Sequence, residues 1–272
     1  MYKIAKLTFE AADDAQKDRQ QLQEQVENYF SALINQGRVA EYFLMQQDGA
    51  LVAIASLPEA DALSEQYDNK YVKRFSEGLS VHWELIGEEA FDSHVCTCQC
   101  PSCFLLDANG KEESPVFCGD CGGEVPLYRV PADETQEHAS LLGWQQAFQA
   151  MITLWCESLS DRFTRRQIEH PASALNREGR RLARALEDRL NKPVYLYLEN
   201  PLGILMKKPP LRHCPACGKP LTAMPGEVWA LNLCHDCRLA LPKEEEQYRK
   251  YDESTISRHG GGGRRPRGLL QL

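Results

Sequence analysis

The sequence predicts an α+β protein: a ferredoxin-like βαββαβ domain at the N-terminus, then an α+β middle region with two zinc-ribbon sites of four cysteines each. Three observations predict it. Apolar residues alternate between a period of two and a helical period over the first ninety residues. Four C-x2-C pairs fall into two sets. The net charge of -8 splits into -9 over residues 1–95 and -7 over 96–160, against +6 over 161–213 and +2 over 214–272.

The elements follow in order. Ala5, Leu7 and Phe9 share one side of a strand at 3–9, and Leu22, Val26, Phe30 and Leu33 stripe a helix near 13–36. Strands near 39–46 and 50–57 meet at Asp48-Gly49, a favoured hairpin turn. Leu63, Tyr67, Tyr71 and Phe75 mark a helix near 61–77, and Val81, Trp83 and Leu85 alternate along a last strand. This order is the ferredoxin-like one. The same fold underlies RNA-binding RRM domains, but ALVAIASL on the third strand has neither stacking aromatics nor basic groups, so the domain reads as a scaffold or dimerisation unit.

A strand PLYRV then precedes a long helix near 138–159. Its Trp144, Phe148, Met151, Ile152, Trp155 and Leu159 repeat at three and four residues, as core side chains do, with Cys156 a packed thiol among them. A helix near 172–190 puts Leu175, Leu182, Leu186 and Leu190 on one face and Arg177, Arg180, Arg181 and Arg184 on the other, with Glu187 and Asp188 close enough to offset some of that charge. A strand at 194–198 leads to Lys207, Lys208 and Arg212. The tail SRHGGGGRRPRGLLQL is too rich in glycine to pack and carries Arg264, Arg265 and Arg267. The expected domains are 1–92, ferredoxin-like; 93–131, first ribbon; 132–210, middle region with the basic helix; 211–242, second ribbon; and 243–272, a flexible basic tail.

The cysteine spacing carries the chemistry. Cys100 and Cys103 pair with Cys118 and Cys121 across 14 residues, and Cys214 and Cys217 with Cys234 and Cys237 across 16. Two residues between thiolates let one tight turn aim both sulfurs at a tetrahedral ion, and a second turn completes the shell. Gly122 and Gly218 follow a second cysteine, where a left-handed backbone is needed. Cys96, Cys98 and His94 are competing donors in the first set, with Cys100 and Cys103 the preferred pair. An odd total of eleven cysteines and an N-terminus without an export signal argue against disulfides and for a reducing cytoplasm. A thioredoxin-type redox motif needs one pair on a βαβ unit, not four pairs in two sets. The expected cofactor is Zn2+, two per chain, structural because four thiolates leave no open position.

FCGDCGGEVPLYRVP, LNREGRRLARALEDRLNKPVYLYL, and HCPACG with LCHDCRLA occur in that order. From about residue 90 onward the chain resembles an uncharacterised bacterial family of zinc-ribbon proteins regarded as candidates for nucleic-acid binding. The resemblance implies zinc at Cys118, Cys121, Cys214, Cys217, Cys234 and Cys237, with Cys100 and Cys103 matching a first knuckle.

The function expected is therefore a zinc-binding, non-enzymatic protein. DNA or RNA would contact the basic residues Arg177, Arg180, Arg181, Arg184, Lys207, Lys208 and Arg212. The alternative is an interaction adaptor or scaffold that binds a protein partner or a second copy. His82-Trp83-Glu84 superficially matches the H-x-E of zinc deaminases, yet the P-C-x-x-C partner is missing. No G-x-x-x-x-G-K phosphate loop occurs, and no apolar stretch is long enough to cross a membrane.

Overall fold

Alternation along KIAKLTFEA makes strand β1 (Lys3–Ala11) and turns Ala5, Leu7 and Phe9 to one buried face. The computed structural model describes residues 1–11, 19–90, 94–108, 114–132, 138–157, 159, 161–198 and 211–243. These form two compact units, the first mainly Met1–Thr97. There β1 is followed by α1 (Arg19–Asn35), β2 (Glu41–Gln47), β3 (Ala50–Leu57), α2 (Lys70–Ser76) and β4 (Leu79–Glu88). The four strands make an antiparallel sheet in the order β2-β3-β1-β4. Val26, Phe30 and Leu33 of α1 lie fully buried against it, with Phe30 stacked on Tyr42 at 4.0 Å and edge-on to Phe9 at 5.7 Å. Asp48 and Gly49 both have positive φ (52° and 88°), the requirement of the tightest hairpin turn.

Two features of this unit differ from the sequence pattern. The helix expected over 61–77 is confined to α2, preceded by a short 3-10 turn at Glu65–Tyr67. The cause is Arg38, whose fully buried guanidinium takes the carbonyls of Ala62 (2.6 Å) and Ser64 (3.0 Å) and the carboxylate of Asp68 (2.6 Å). Those carbonyls are then committed to a side chain, and Asn69 restarts the helix by accepting from the N–H groups of Tyr71 and Val72, both at 2.9 Å. Along β4, Val81, Trp83 and Leu85 face the same side as Phe9, Leu7 and Ala5. Yet Trp83 and Leu85 are 41% and 45% exposed, because the apolar cluster under the helices takes in Leu79 and Val81 of this strand and stops there.

The second unit is formed mainly from Gly143 onward together with Cys98–Lys111 and Phe117–Gly122. Its strands are β5 (Phe104–Leu106), β6 (Val116–Cys118), β7 (Val194–Tyr197), β8 (Thr222–Ala223), β9 (Leu231–Cys234) and β10 (Leu239–Pro242). They form one sheet in the order β6-β5-β7-β10-β9-β8. The segment carrying the last four cysteines therefore shares a sheet with the middle of the chain: β10 pairs parallel with β7 and antiparallel with β9. Cys103, Leu105, Tyr195, Met224, Leu231, Leu233 and Ala240 pack into one apolar cluster with Phe117 and Trp229 against it.

Three helices complete the second half of the chain. In α3 (Ala139–Cys156), Trp144 and Phe148 are buried, and the Trp144 indole donates to the Leu175 carbonyl at 3.1 Å. A nine-residue helix that the apolar pattern did not signal, α4 (Asp161–Glu169), comes next. The last, α5 (Ala174–Leu190), is capped by Ser173 at its start and by left-handed Asn191 at its end. It buries Asn176, Gly179, Leu182, Ala183 and Leu186. A β-carbon on Gly179 would sit 2.9 Å from the Trp144 ring, so only glycine allows this approach.

Candidate metal centres and an arginine face

Two groups of four cysteines converge, Cys96, Cys98, Cys118 and Cys121 in one and Cys214, Cys217, Cys234 and Cys237 in the other. Within each group all sulfurs lie within 4.8 Å of one another. A tetrahedral ion with metal–sulfur bonds of about 2.3 Å would space them about 3.8 Å apart, and the Cys217–Cys234 pair already stands at 3.6 Å.

The turns that aim these sulfurs share one local design. After Cys121, Gly122 has φ +74° and its N–H donates to the Cys118 carbonyl at 3.0 Å. After Cys217, Gly218 has φ +72° and donates to the Cys214 carbonyl at 2.8 Å. Arg238 takes the same left-handed conformation, φ 52°, after Cys237 without being glycine. In the second group the turns also point backbone N–H groups at sulfur: Ala216 donates to Cys214 Sγ at 3.4 Å, Lys219 to Cys217, and Cys237 to Cys234. Such donors favour the thiolate, the form that ligates a metal.

The titration directions state what this packing demands. The Lys219 backbone N–H lowers the Cys217 thiol below its usual range. Burial, followed by the sulfurs of Cys217 and Cys214, pushes Cys237 up to about 12. The neighbouring Cys121 thiol, then burial, pushes Cys98 up to about 11, and burial raises Cys234. Four anionic sulfurs at this separation repel one another, so the set ionises together only around a cation. A soft, all-thiolate, four-coordinate donor set suits zinc.

In the first group the structure gathers Cys118 and Cys121 with Cys96 and Cys98, not with Cys100 and Cys103. Cys96 lies in an extended segment, its N–H donating to the Glu124 carbonyl at 2.7 Å beside the Val95–Glu124 bridge. In extended chain, residues two apart share a face, which suits C-x-C here as a tight turn suits C-x2-C. Cys103 is buried beneath the Cys118–Cys121 turn, where Gly119 donates to its carbonyl at 2.9 Å and a β-carbon on Gly119 would meet its sulfur at 2.4 Å. Burial raises its thiol, as for a core side chain. Cys100 is exposed and stands 3.6 Å from the Lys192 ammonium. The sequence signal for this grouping is the period-two run His94, Cys96, Cys98, Cys100, outweighed there by the more familiar pair spacing.

On α5, Arg177, Arg180, Arg181 and Arg184 line a shallow surface groove of about 480 Å³ with Ala185 and Asp188. Arg177, Arg181 and Arg184 are exposed, and Arg180 is half-buried with its Nε shielded from water and unbonded. Glu178 holds Arg181 in a two-pronged pair at 2.7 and 2.9 Å. Glu187, expected to offset this charge, bonds Arg238 through two contacts of 2.6 and 2.7 Å and also attracts Arg184 through charge alone. Arg238 also lies over the Tyr195 ring at 5.6 Å, and the Tyr195 hydroxyl is 2.8 Å from His235 Nδ1. His235 within the Cys234–Cys237 turn and Arg238 directly after it thus hold β7 and α5. Arg212 is exposed two residues before Cys214. Lys207, Lys208 and the tail arginines lie outside the described residues. Among the described residues no helix is long and apolar enough to cross a membrane.

Residues 98–199 match a domain of unknown function (DUF2310), and residues 1–84 match another (DUF8589). Two Haemophilus influenzae proteins, each named "Uncharacterized protein", are similar to this chain. One is 27% identical over 192 residues, 67% of this chain and 74% of the relative. The other is 28% identical over 138 residues, 50% of this chain and 68% of the relative. The chain is similar to uncharacterised proteins along most of its length, and the second cysteine group lies beyond both matched domains.

Proposed function

We propose that this chain is a non-enzymatic protein, held in shape by two zinc ions in ribbon-type knuckles, that binds nucleic acid through the arginine face of α5. Two observations bear on it: two converging cysteine tetrads, the second with backbone N–H groups aimed at its sulfurs, and a groove lined by four arginines on a helix tied to that second tetrad. Cys96, Cys98, Cys118 and Cys121 would hold one ion and Cys214, Cys217, Cys234 and Cys237 the other. Each ion supplies a cross-link where short strands bury too little to fold alone. With four thiolates per ion there is no position for a reacting water, which supports a structural role. Ligating thiols must stay reduced, so the cytoplasm is the compartment that fits. The order β2-β3-β1-β4 in an antiparallel sheet supports a ferredoxin-like reading of the N-terminal domain.

The test is purification without chelator, zinc measured per chain, and identification of what copurifies. Two zinc ions, and nucleic acid whose affinity falls steeply with salt, support the reading; each phosphate-contacting arginine replaced should flatten the log–log slope by about one. A metal-free chain, or no nucleic acid bound even at low salt, refutes it.

A further inference from the structure

We infer that α4, the four-residue turn after it and α5 form a helix-turn-helix that presents α5 to the major groove of duplex DNA. The inference rests on the nucleic-acid reading above and names its partner. The turn, residues 170–173, separates Glu169 at the end of α4 from Ala174 at the start of α5. Four residues between two helices is the length this motif uses. A set of side chains locks the turn: Asn176, 1% exposed, donates to the carbonyls of Ile168 (2.7 Å), Gln167 (3.1 Å) and His170 (3.1 Å). Ser173 donates to the Gln167 carbonyl at 2.8 Å while its oxygen caps α5 by accepting from the Asn176 N–H at 3.0 Å. With Thr164 and Ile168 fully buried, α4 is seated and the pair is a rigid reading unit.

The charge points to a polyanion. Among the described residues, Arg162 and Arg166 on α4 and Arg177, Arg180 and Arg184 on α5 have no carboxylate within ion-pair distance, whereas Arg165 and Arg181 are paired. Shape then selects the form of nucleic acid. The 17 residues of α5 span about 25 Å and, with side chains, about 10–12 Å across, which the major groove of B-form DNA, about 12 Å wide, admits. The major groove of an RNA duplex is too narrow and deep for it. A single strand needs aromatic rings to stack on, and α5 has none in its sequence. Arginine is also the side chain that reads guanine in the major groove, through paired bonds to N7 and O6. Arg162 and Arg166 would then hold the phosphate backbone.

The test uses the full zinc-loaded chain and fluorescence anisotropy at low salt. The probes are a two-turn mixed-sequence DNA duplex, one of its strands, the RNA duplex of the same sequence, and a DNA duplex whose major groove is filled by glucosylated hydroxymethylcytosine. The plain DNA duplex should bind about tenfold tighter than the strand or the RNA duplex, and the glucosylated duplex should lose that advantage. Arg177→Ala and Arg184→Ala, both at exposed positions, should each weaken duplex binding about tenfold with zinc content and circular dichroism unchanged. A strand or RNA duplex bound as tightly, or indifference to the filled groove, overturns the helix-turn-helix and leaves nucleic-acid binding standing; wild-type affinity in both variants overturns the helix-turn-helix and the arginine face together. No binding to any probe overturns both.

Discussion

Replacing Cys98 by serine separates the ligand set implied by the sulfur grouping from the one the pair spacing suggests. Cys98 belongs to the first tetrad, whose sulfurs all lie within 4.8 Å, while Cys100 is exposed beside Lys192 and Cys103 is buried under Gly119. A structural zinc contributes about 10–16 kcal/mol, so one of four ligands is worth roughly 3 kcal/mol, or more than a hundredfold in affinity. A serine hydroxyl is not ionised at neutral pH and does not replace that bond. Titration with a competing colorimetric zinc indicator should therefore draw one of the two ions from Cys98→Ser and Cys96→Ser under conditions where the wild type keeps both. Cys100→Ser should behave as wild type. Cys103→Ser should also keep both ions but lose about 1–3 kcal/mol in urea unfolding, because a hydroxyl replaces a thiol in an apolar cluster. Release of an ion from Cys100→Ser and Cys103→Ser, with Cys96→Ser and Cys98→Ser retaining two, would refute the register.

Three other outcomes follow from the same geometry. Chelation, or Cys234→Ser, should free Trp229, whose indole donates to the Cys118 carbonyl at 3.0 Å and packs edge-on to Phe117; its fluorescence should shift to the red and the amides of Leu231–Pro242 should exchange faster. Arg38→Met should cost about 3–5 kcal/mol by urea unfolding, since it strands the Asp68 carboxylate and two carbonyls; a loss under about 1 kcal/mol would count against the role given to Arg38. Burial pushes the Tyr29 phenol up to about 12. Its neutral form is therefore favoured in the folded state: that stability is complete below the unfolded value of about 10 and is lost as pH rises towards 12. Melting temperature should fall over that window, and less so in Tyr29→Phe; equal slopes for the two proteins would show that another group is responsible.

Much of the first unit was legible because each element has a periodic signature. Ala5, Leu7 and Phe9 alternate, Val26, Phe30 and Leu33 recur at helical spacing, and Asp48-Gly49 names its own turn. The truncated α2 was not legible, since its limits depend on a buried arginine reaching from residue 38 to carbonyls at 62 and 64. Nor was α4, nine residues in which three arginines obscure the two buried anchors, Thr164 and Ile168.

What the sequence determined by itself is what lies within one turn. C-x2-C spacing with a following residue able to take positive φ dictates a knuckle, and Ser173 with leucines at helical spacing dictates α5 and its arginine face. Only the tertiary structure decided which sulfurs meet: six cysteines crowd into residues 96–121, and the Glu124 carbonyl draws Cys96 into the group while Gly119 buries Cys103. It also decided that Glu187 accepts both side-chain bonds from Arg238 and leaves Arg184 only a longer-range charge attraction. Ligand choice and charge pairing depend on distances between segments far apart in the chain. A local pattern specifies the direction of a side chain from its own backbone and carries no information about what is brought opposite it.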